Sequence, residues 1–269
     1  MTRYAEVIGD PIAHSKSPII HKFWLDALGI EGDYRTTHVR DEDLAGYFDR
    51  ARHDAEWRGC NVTIPHKLAV MDLVGDPGGV RSTIGAMNTV IRGEDGTLIG
   101  TNTDAGGFFS PIAGLELEGR HAVVVGAGGG ARAVLFALAR VGIGKVTILN
   151  RNVLKGAALL SSFGVKGDAL PIGAPLPAAD LLVNASPLGM DGQPPLDLNL
   201  DPLPEHAVVY DIVYAPLETP LLAQARDREL DTVDGLEMLV GQAALAFELF
   251  FGAEPPRDRD EDLRALLTA

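Results

Sequence analysis

The feature that most constrains the fold is a glycine-rich segment within residues 121–141, which lies between a run of valines and an apolar helical pattern. The β-branched run at residues 123–125 predicts a buried strand that ends at Gly126. Apolar residues then recur at helical spacing as far as Val141. Residues 145–149 form a second apolar run, so the segment predicts strand, tight turn, helix and strand, which is a βαβ unit of an α/β fold.

The turn itself has the pattern of a dinucleotide-binding loop. Gly126, Gly128 and Ala131 fit G-x-G-x-x-A. A Cβ atom would block the turn, the approach of backbone N–H groups to a pyrophosphate, or the packing of helix on strand. A flexible loop would have the same residues, but the flanking strand, helix and strand favour a nucleotide site. We therefore predict a Rossmann-type, doubly wound domain.

The end of the second strand bears on which nucleotide fits. An NAD site usually has Asp or Glu here for the ribose hydroxyls, whereas this chain has Asn150, Arg151 and, one turn later, Lys155. These residues favour NADP. Arg132 adds a cation near the expected phosphates. Solvated helix surface explains Arg132 and Lys155 equally well, so Arg151 is the better candidate for the ribose phosphate.

Composition excludes several classes of function. The formal net charge of −14 and the lack of a basic stripe argue against nucleic-acid or anionic-membrane partners. Cys60 is the only cysteine, so an intrachain disulfide is excluded, and its apolar neighbours predict a buried thiol. The seven histidines show no ligand-type clustering, so no metal is predicted. With no signal-peptide core and only short apolar runs, the expected location is cytoplasmic.

A loop near the start of the chain ends where a helix begins. Residues 4–9 predict a strand, after which Ser17 and Pro18 are placed as N-cap and first helical residue. The hydroxyls of Ser15 and Ser17 would lie near unpaired N–H groups at the positive end of the helix, which suits a small carboxylate. Spacing alone favours the simpler interpretation, in which Ser17 is only a cap.

A candidate proton-transferring lysine follows the strand predicted at residues 57–64. Residues 66–74 predict a helix that has Lys67 in its first turn. A cation there opposes the helix dipole, which favours release of its proton, although an ordinary surface lysine is the commoner case. Asn61 and Thr63 alternate along the strand and would point the same way.

Asp104 is a second candidate for chemistry. It follows strands predicted at residues 85–91 and 97–101, and it precedes a Gly-Gly step. It could be a helix cap, a hinge residue or a catalytic carboxylate, and the spacing does not decide among them. Upstream, residues 33–39 predict a strand, and Asp41 is placed as the cap of the next helix.

Three later strands end in small or polar residues, where a doubly wound sheet binds ligands. They are predicted at residues 179–184, 208–213 and 232–233. Residues 236–251 predict an apolar helix in which Gln242 is the conspicuous polar residue. Gln242 needs a hydrogen-bond partner if it is buried.

Together these segments resemble the shikimate dehydrogenase family over nearly the whole chain. The motifs, in order, are SKSP at 15–18, NVTIPHK at 61–67, GAMNT at 85–89, NTD at 102–104, GAGGGAR at 126–132, NR at 150–151, DIVYAPLETPLL at 211–222 and GLEMLVGQAALAFELF at 235–250. Each motif is weak alone, but the ordered set is specific. The resemblance implies an α/β substrate domain, residues 1–103 with 237–269 packing back on it, and a Rossmann-type NADP-binding domain, residues 104–236.

The resemblance also implies roles for individual residues. Ser15 and Ser17 would bind the substrate carboxylate, and Lys67 and Asp104 would form the catalytic pair and contact the substrate. The rest of the substrate pocket would be lined by Asn61, Thr63, Asn88, Tyr214 and Gln242. The cofactor residues would be Gly126, Ala127, Gly128, Gly129 and Gly130 at the pyrophosphate, Asn150, Arg151 and Lys155 at the adenosine ribose phosphate, and Ala185, Ser186, Ile212, Gly235 and Met238 toward the nicotinamide.

The implied activity is reversible reduction of 3-dehydroshikimate to shikimate by NADPH, on the way to chorismate and aromatic amino acids, in a monomer or homodimer.

Two positions depart from the family pattern: Asn152 stands where Thr is frequent, and Gly241 stands where His commonly precedes the glutamine. The Ser-x-Ser loop fits shikimate, since relatives that use quinate often have Thr at the second position. The alternatives are a broader quinate/shikimate dehydrogenase and a non-catalytic NADP-responsive sensor, and the presence of Lys67 and Asp104 counts against the sensor.

Overall fold

The computed structural model describes residues 2–269, which form two compact units. One unit contains the residues up to Thr103 together with Val240–Ala269, and the other is Asp104–Leu239. Each unit has its own β-sheet.

The first unit is built on a mixed five-stranded sheet. Its strands are β1 (Tyr4–Gly9), β2 (Asp33–His38), β3 (Trp57–Val62), β4 (Thr89–Arg92) and β5 (Leu98–Thr101). The spatial order is β2-β1-β3-β4-β5, with β1 parallel to both of its neighbours and the last two pairs antiparallel. The helices are α1 (Ser17–Leu28), α2 (Leu44–His53), α3 (Val80–Thr83) and, at the end of the chain, α9 (Asp260–Thr268).

Aromatic rings fill the core of this unit. The wholly buried Tyr34 of β2 and His21 of α1 stack in parallel with their ring centroids 3.9 Å apart, and Trp24 and Phe247 lie beside them. Among the described residues, neither ring nitrogen of His21 has a hydrogen-bond partner. Burial lowers the pKa of His21 to about 3, so the ring is neutral near pH 7. Cys60 is also buried, as predicted.

The second unit is built on a parallel six-stranded sheet. Its strands are β6 (His121–Val125), β7 (Lys145–Leu149), β8 (Gly167–Leu170), β9 (Leu181–Asn184), β10 (Val208–Asp211) and β11 (Asp231–Val233). The helices are α4 (Asp104–Phe109), α5 (Gly129–Arg140), α6 (Val153–Phe163), α7 (Pro220–Asp227) and α8 (Gly235–Phe251), of which the residues from Val240 on belong to the first unit. The order β11-β10-β9-β6-β7-β8, with every neighbouring pair parallel, is that of a Rossmann-type doubly wound sheet and confirms the predicted fold class.

Alternate residues of β6 belong to cores on opposite faces of this sheet. Val124 packs in one cluster with Val134 of α5, whereas Val123 and Val125 pack in the other with Leu222 of α7. A strand covered on both faces needs apolar residues at every position. This explains the unbroken valine run in the sequence.

Two predicted elements of the first unit start later than expected. Residues Asp41–Asp43 form a 3₁₀ turn, and α2 begins only at Leu44, so Asp41 is not its cap. The carboxylate of Asp41 instead lies 3.1 Å from Nδ1 of His66. The strand predicted at residues 85–91 begins at Thr89.

Asp211 ends β10 as a wholly buried carboxylate. It accepts hydrogen bonds from the Thr219 hydroxyl at 2.7 Å, the Asn184 side-chain amide at 2.9 Å and the Val213 backbone N–H at 3.0 Å. Burial outweighs these three hydrogen bonds and raises the pKa of Asp211 to about 6.

We expect Asp211→Asn to remove the pH-dependent contribution that this carboxyl makes to the free energy of unfolding. Because the folded pKa of about 6 lies above the ordinary 3.8, the stability that this group contributes is fully present below the lower value and is lost as pH rises through the higher one. The shift is worth on the order of 3 kcal/mol. In urea unfolding, the free energy of the natural chain relative to the variant should be higher at acidic than at neutral pH. A difference that does not change with pH would contradict a buried, ionising Asp211.

Candidate active site

Ser15 and Ser17 lie at the turn into α1, but Ser17 is not the N-cap. Lys16 occupies that position, and no side chain caps the helix. The cap prediction is wrong because Lys16 already has helical backbone angles, φ −84° and ψ −6°, so the helical geometry starts one residue early. Ser15 Oγ accepts the backbone N–H of Ser17 at 3.3 Å, and Ser17 itself is 5% exposed. Capping therefore does not explain Ser17.

Asn61 is held at both ends of its amide. The Tyr34 hydroxyl donates to Oδ1 of Asn61 at 2.6 Å, and Nδ2 of Asn61 donates to the Thr89 hydroxyl at 3.1 Å. All three residues are buried. The orientation of the Asn61 amide is thus fixed by its neighbours.

Asn88 and Gln242 join the same network. Nδ2 of Asn88 donates to the Thr103 hydroxyl at 2.9 Å and to Oε1 of Gln242 at 3.4 Å, while its Oδ1 accepts the backbone N–H of Thr103 at 2.7 Å. The Thr89 hydroxyl lies 3.2 Å from both Asn88 Oδ1 and Thr103 Oγ1, which links this group to Asn61. Gln242 is only 7% exposed, so the predicted need for a partner is confirmed. Neutral donors and acceptors of this kind suit the hydroxyls of a small polar ligand.

Lys67 lies in a turn rather than in the first turn of an α-helix. Only a short 3₁₀ helix, Ala69–Asp72, follows it. The predicted helix is absent because tertiary hydrogen bonds prevail: the buried His66 ring donates to the Val39 carbonyl at 2.7 Å, and the Lys67 carbonyl accepts the Met87 N–H at 2.8 Å. The helix-dipole argument for Lys67 therefore fails, and its catalytic role rests on the family resemblance.

Thr63 and Asp104 lie at the ends of other elements. Thr63 follows β3 and is half-buried, and Asp104 is the first residue of α4 and is 4% exposed. Lys67 belongs to the first unit and Asp104 to the second. Their pairing stays a prediction.

The turn after β6 depends on Gly126. Its φ of +107° is one that side-chain-bearing residues rarely adopt, and a Cβ there would lie 2.8 Å from the carbonyl oxygen of Ala185. The next residue, Ala127, is buried. Glycine is therefore required where the turn meets the loop after β9.

The start of α5 fits a pyrophosphate. A Cβ on Gly128 would meet no atom within 4 Å, so open space lies at the helix N-terminus, where Gly129 begins α5. A Cβ on Gly130 would lie 3.1 Å from Cδ1 of Ile212. The first turn has no acidic residue and no capping side chain, so its backbone N–H groups suit an anion.

The residues after β7 fit a phosphate on the adenosine ribose. The Asn150 side chain donates to the Asn152 carbonyl at 2.8 Å, and Oδ1 of Asn152 accepts the Lys155 backbone N–H at 3.0 Å, which caps α6. Arg151 and Lys155 are exposed, and the first turn of α6 has no acidic residue. The departure at Asn152 thus preserves the cap that a threonine could supply.

The loops after β9 and β10 hold Ala185, Ser186 and Ile212, and Gly235 begins α8. Oδ1 of Asn184 accepts both the backbone N–H and the hydroxyl of Ser186, at 3.1 and 2.7 Å, and this fixes the loop that contains Ala185. The backbone N–H of Ile212 donates to the Asn184 carbonyl at 3.1 Å. A Cβ on Gly235 would lie 2.4 Å from the Val213 carbonyl oxygen.

Met238 and Tyr214 are the remaining predicted residues. Met238 is buried in the same core cluster as Val124. Tyr214 lies in the second unit, unlike the other residues predicted to line the substrate pocket apart from Asp104, and burial raises its pKa. Within the second unit, most of the predicted cofactor residues thus follow the carboxyl ends of β6, β7, β9 and β10, whereas Gly235 and Met238 belong to α8, after β11.

Sequence reasoning missed several buried polar residues. Tyr34, Thr89 and Thr103 hold the predicted Asn61, Asn88 and Gln242, yet no local pattern distinguishes them. Asp211 could have been found, because an acidic residue directly at the end of an apolar strand needs a buried partner.

Within residues 2–269, no group of three or more His, Cys, Asp or Glu side chains could hold a metal ion. No helix in that range is long and apolar enough to cross a membrane.

Most of the chain matches known protein families. Residues 7–90 match the family described as shikimate dehydrogenase substrate binding domain, residues 110–186 match shikimate/quinate 5-dehydrogenase, and residues 235–263 match the shikimate 5'-dehydrogenase C-terminal domain. A curated relative, shikimate dehydrogenase (NADP(+)) of Sphingopyxis alaskensis, is 68% identical over 99% of this chain and 97% of its own length.

Two solved structures are similar along the full length. Shikimate 5-dehydrogenase from Thermus thermophilus, in complex with NADP(H) and shikimate, is 38% identical with a TM-score of 0.87, covering 99% of this chain and 100% of that one. The 5-ketofructose reductase of a Gluconobacter species is 28% identical with a TM-score of 0.88, covering 99% of each chain. The chain belongs to the shikimate dehydrogenase family.

Proposed function

We propose that this chain catalyses the reversible reduction of 3-dehydroshikimate to shikimate with NADPH, a step on the way to chorismate and the aromatic amino acids. The observation that carries the proposal is the 68% identity to a relative named shikimate dehydrogenase (NADP(+)). That similarity extends over both the buried amide network of the first unit and the glycine turn of the second.

The first unit supplies neutral groups for the substrate. The hydroxyls of Ser15 and Ser17 donate to the substrate carboxylate. The ring hydroxyls and the ketone are recognised by the amides and hydroxyls of Asn61, Thr63, Asn88 and Gln242, together with Tyr214 of the second unit. Because the amides of Asn61 and Asn88 are already held by buried partners, they do not have to be ordered when substrate binds.

Proton transfer is assigned to Lys67. Reduction of the ketone places negative charge on its oxygen, and the Lys67 ammonium donates a proton to that oxygen in this direction and takes it back in the reverse direction. The Asp104 carboxylate accepts hydrogen bonds from a ring hydroxyl and from the ammonium, so it orients both. When NADPH is bound, its nicotinamide supplies the hydride.

The second unit would hold the cofactor at three places. Backbone N–H groups of residues 127–130 would bind the pyrophosphate, since the Gly126 N–H already donates to the Leu149 carbonyl at 2.9 Å. Arg151, with Asn150 and Lys155, binds the ribose phosphate, for which a planar guanidinium and a second cation are well suited. The nicotinamide half would lie along Ala185, Ser186, Ile212, Gly235 and Met238.

The activity is tested by following the absorbance of reduced nicotinamide with purified protein, shikimate and either NADP or NAD. We expect the highest rate with shikimate and NADP, and a much lower rate when quinate replaces shikimate. Equal or faster oxidation of quinate would overturn the substrate assignment, and no reaction with either substrate would overturn the proposal.

Lys67→Ala should lower kcat by roughly 10²- to 10⁴-fold, the range expected when a general acid is removed, while the KM for shikimate changes little. Steady-state rates over a range of shikimate concentrations separate the two effects. Lys22→Ala, at an exposed lysine of the same unit, is the matched control. Unchanged turnover in Lys67→Ala would remove this residue from the mechanism.

Arg151→Ala should raise the KM for NADPH by roughly tenfold or more, the loss expected for charge-assisted hydrogen bonds, and should leave the KM for NADH nearly unchanged. The control is Arg140→Ala, at an exposed arginine in the last turn of α5. An equal loss for both cofactors would refute the phosphate assignment.

A further inference from the structure

A buried carboxylate that the proposed mechanism does not use lies below the cofactor-facing loops of the second unit. Asp211 joins three segments through the hydrogen bonds described above: the end of β9 through Asn184, the turn after β10 through Val213, and the start of α7 through Thr219. The carboxylate is wholly buried. It therefore acts through its hydrogen-bond partners.

The first connection fixes the loop after β9. The Asn184 side chain donates to Asp211 and, at 2.8 Å, to the Leu188 carbonyl, while its oxygen accepts two hydrogen bonds from Ser186. The amide group is thus fully engaged and cannot rotate without losing partners. On its other side this loop carries the Ala185 carbonyl, which faces Gly126.

The second connection fixes the turn after β10. The N–H of Val213 donates to Asp211. The carbonyl oxygen of Val213 lies so close to Gly235 that a Cβ atom on residue 235 would be only 2.4 Å from that oxygen. Ile212, between these anchors, presents its side chain to Gly130 at the start of α5. Asp211 and Gly235 thus hold the backbone from which Ile212 projects.

We propose that Asp211 is a positioning residue that sets Ala185, Ser186 and Ile212 for the nicotinamide half of the cofactor. This inference rests on the proposed function, because these three residues are assigned to the cofactor there. Asp211 holds these loops in position and takes no part in proton or hydride transfer.

Two substitutions of Asp211 differ in the hydrogen bonds that they can keep. Asp211→Ala leaves three donors unpaired and releases both loops. Asp211→Asn can keep its oxygen toward Asn184 and Val213 and turn its NH₂ toward Thr219, whose hydroxyl can rotate to accept. The asparagine should therefore recover most of what the alanine loses.

The test compares both variants with Thr147→Val, which removes a buried hydroxyl that is hydrogen-bonded to His121 in the same sheet. Asp211→Ala should raise the Kd for NADPH, measured by fluorescence titration, by roughly tenfold or more. It should also speed amide hydrogen exchange at Ser186, Leu188 and Val213 in the cofactor-free protein. Thr147→Val should lower Tm and leave the Kd unchanged.

A folded Asp211→Ala that binds NADPH with the natural Kd, whatever its Tm, overturns the inference. Should that variant not fold, Thr219→Val removes one donor to Asp211 and carries the same test, with a raised Kd in support and an unchanged Kd against. If the natural chain itself binds no NADPH, the proposed function fails. The exchange rates in the cofactor-free protein still report whether Asp211 holds the loops.

Discussion

The contact between the Gly126 backbone and the carbonyl of Ala185 determines how the ligand-facing edge of the second unit is built. No side chain can stand between them, so the turns after β6 and β9 lie against each other at the point where α5 begins. This leaves the N-terminus of α5 open at Gly128, with unpaired N–H groups and no acidic side chain in its first turn. An edge suited to an anion is thus built around one close backbone approach in a parallel sheet.

The first unit offers neutral hydrogen-bonding groups in place of an open helix N-terminus. The residues proposed to bind its ligand are mostly amides and hydroxyls, and buried hydrogen bonds tie them to Tyr34, Thr89 and Thr103. A site built from paired neutral groups discriminates by hydrogen bonding, because a ligand that lacks one hydroxyl leaves a buried group unpaired. Selectivity among small polyhydroxylated acids requires this property.

Local pattern predicted the elements that have unbroken or periodic apolar residues. Strands β1 and β7 match the predicted bounds to the residue, because each is a buried run ended by a turn. The helix predicted around Lys67 is absent, because the His66 ring donates to the Val39 carbonyl and the Lys67 carbonyl accepts the Met87 N–H, and both bonds tie this turn to distant segments. The motifs indicated the candidate residues, but Tyr34, which holds Asn61, comes from another strand and shares no local pattern with it.

Burial of His21 gives the first unit its own response to acid. Its folded pKa of about 3 lies below the ordinary 6.5, so the unfolded chain takes up a proton first as the pH falls, and stability is lost progressively between those values. In the second unit, the buried carboxylate at the end of β10 shifts in the opposite sense over an overlapping range. As the pH falls from about 6 towards 4, His21 therefore contributes less free energy to the first unit while Asp211 contributes more to the second.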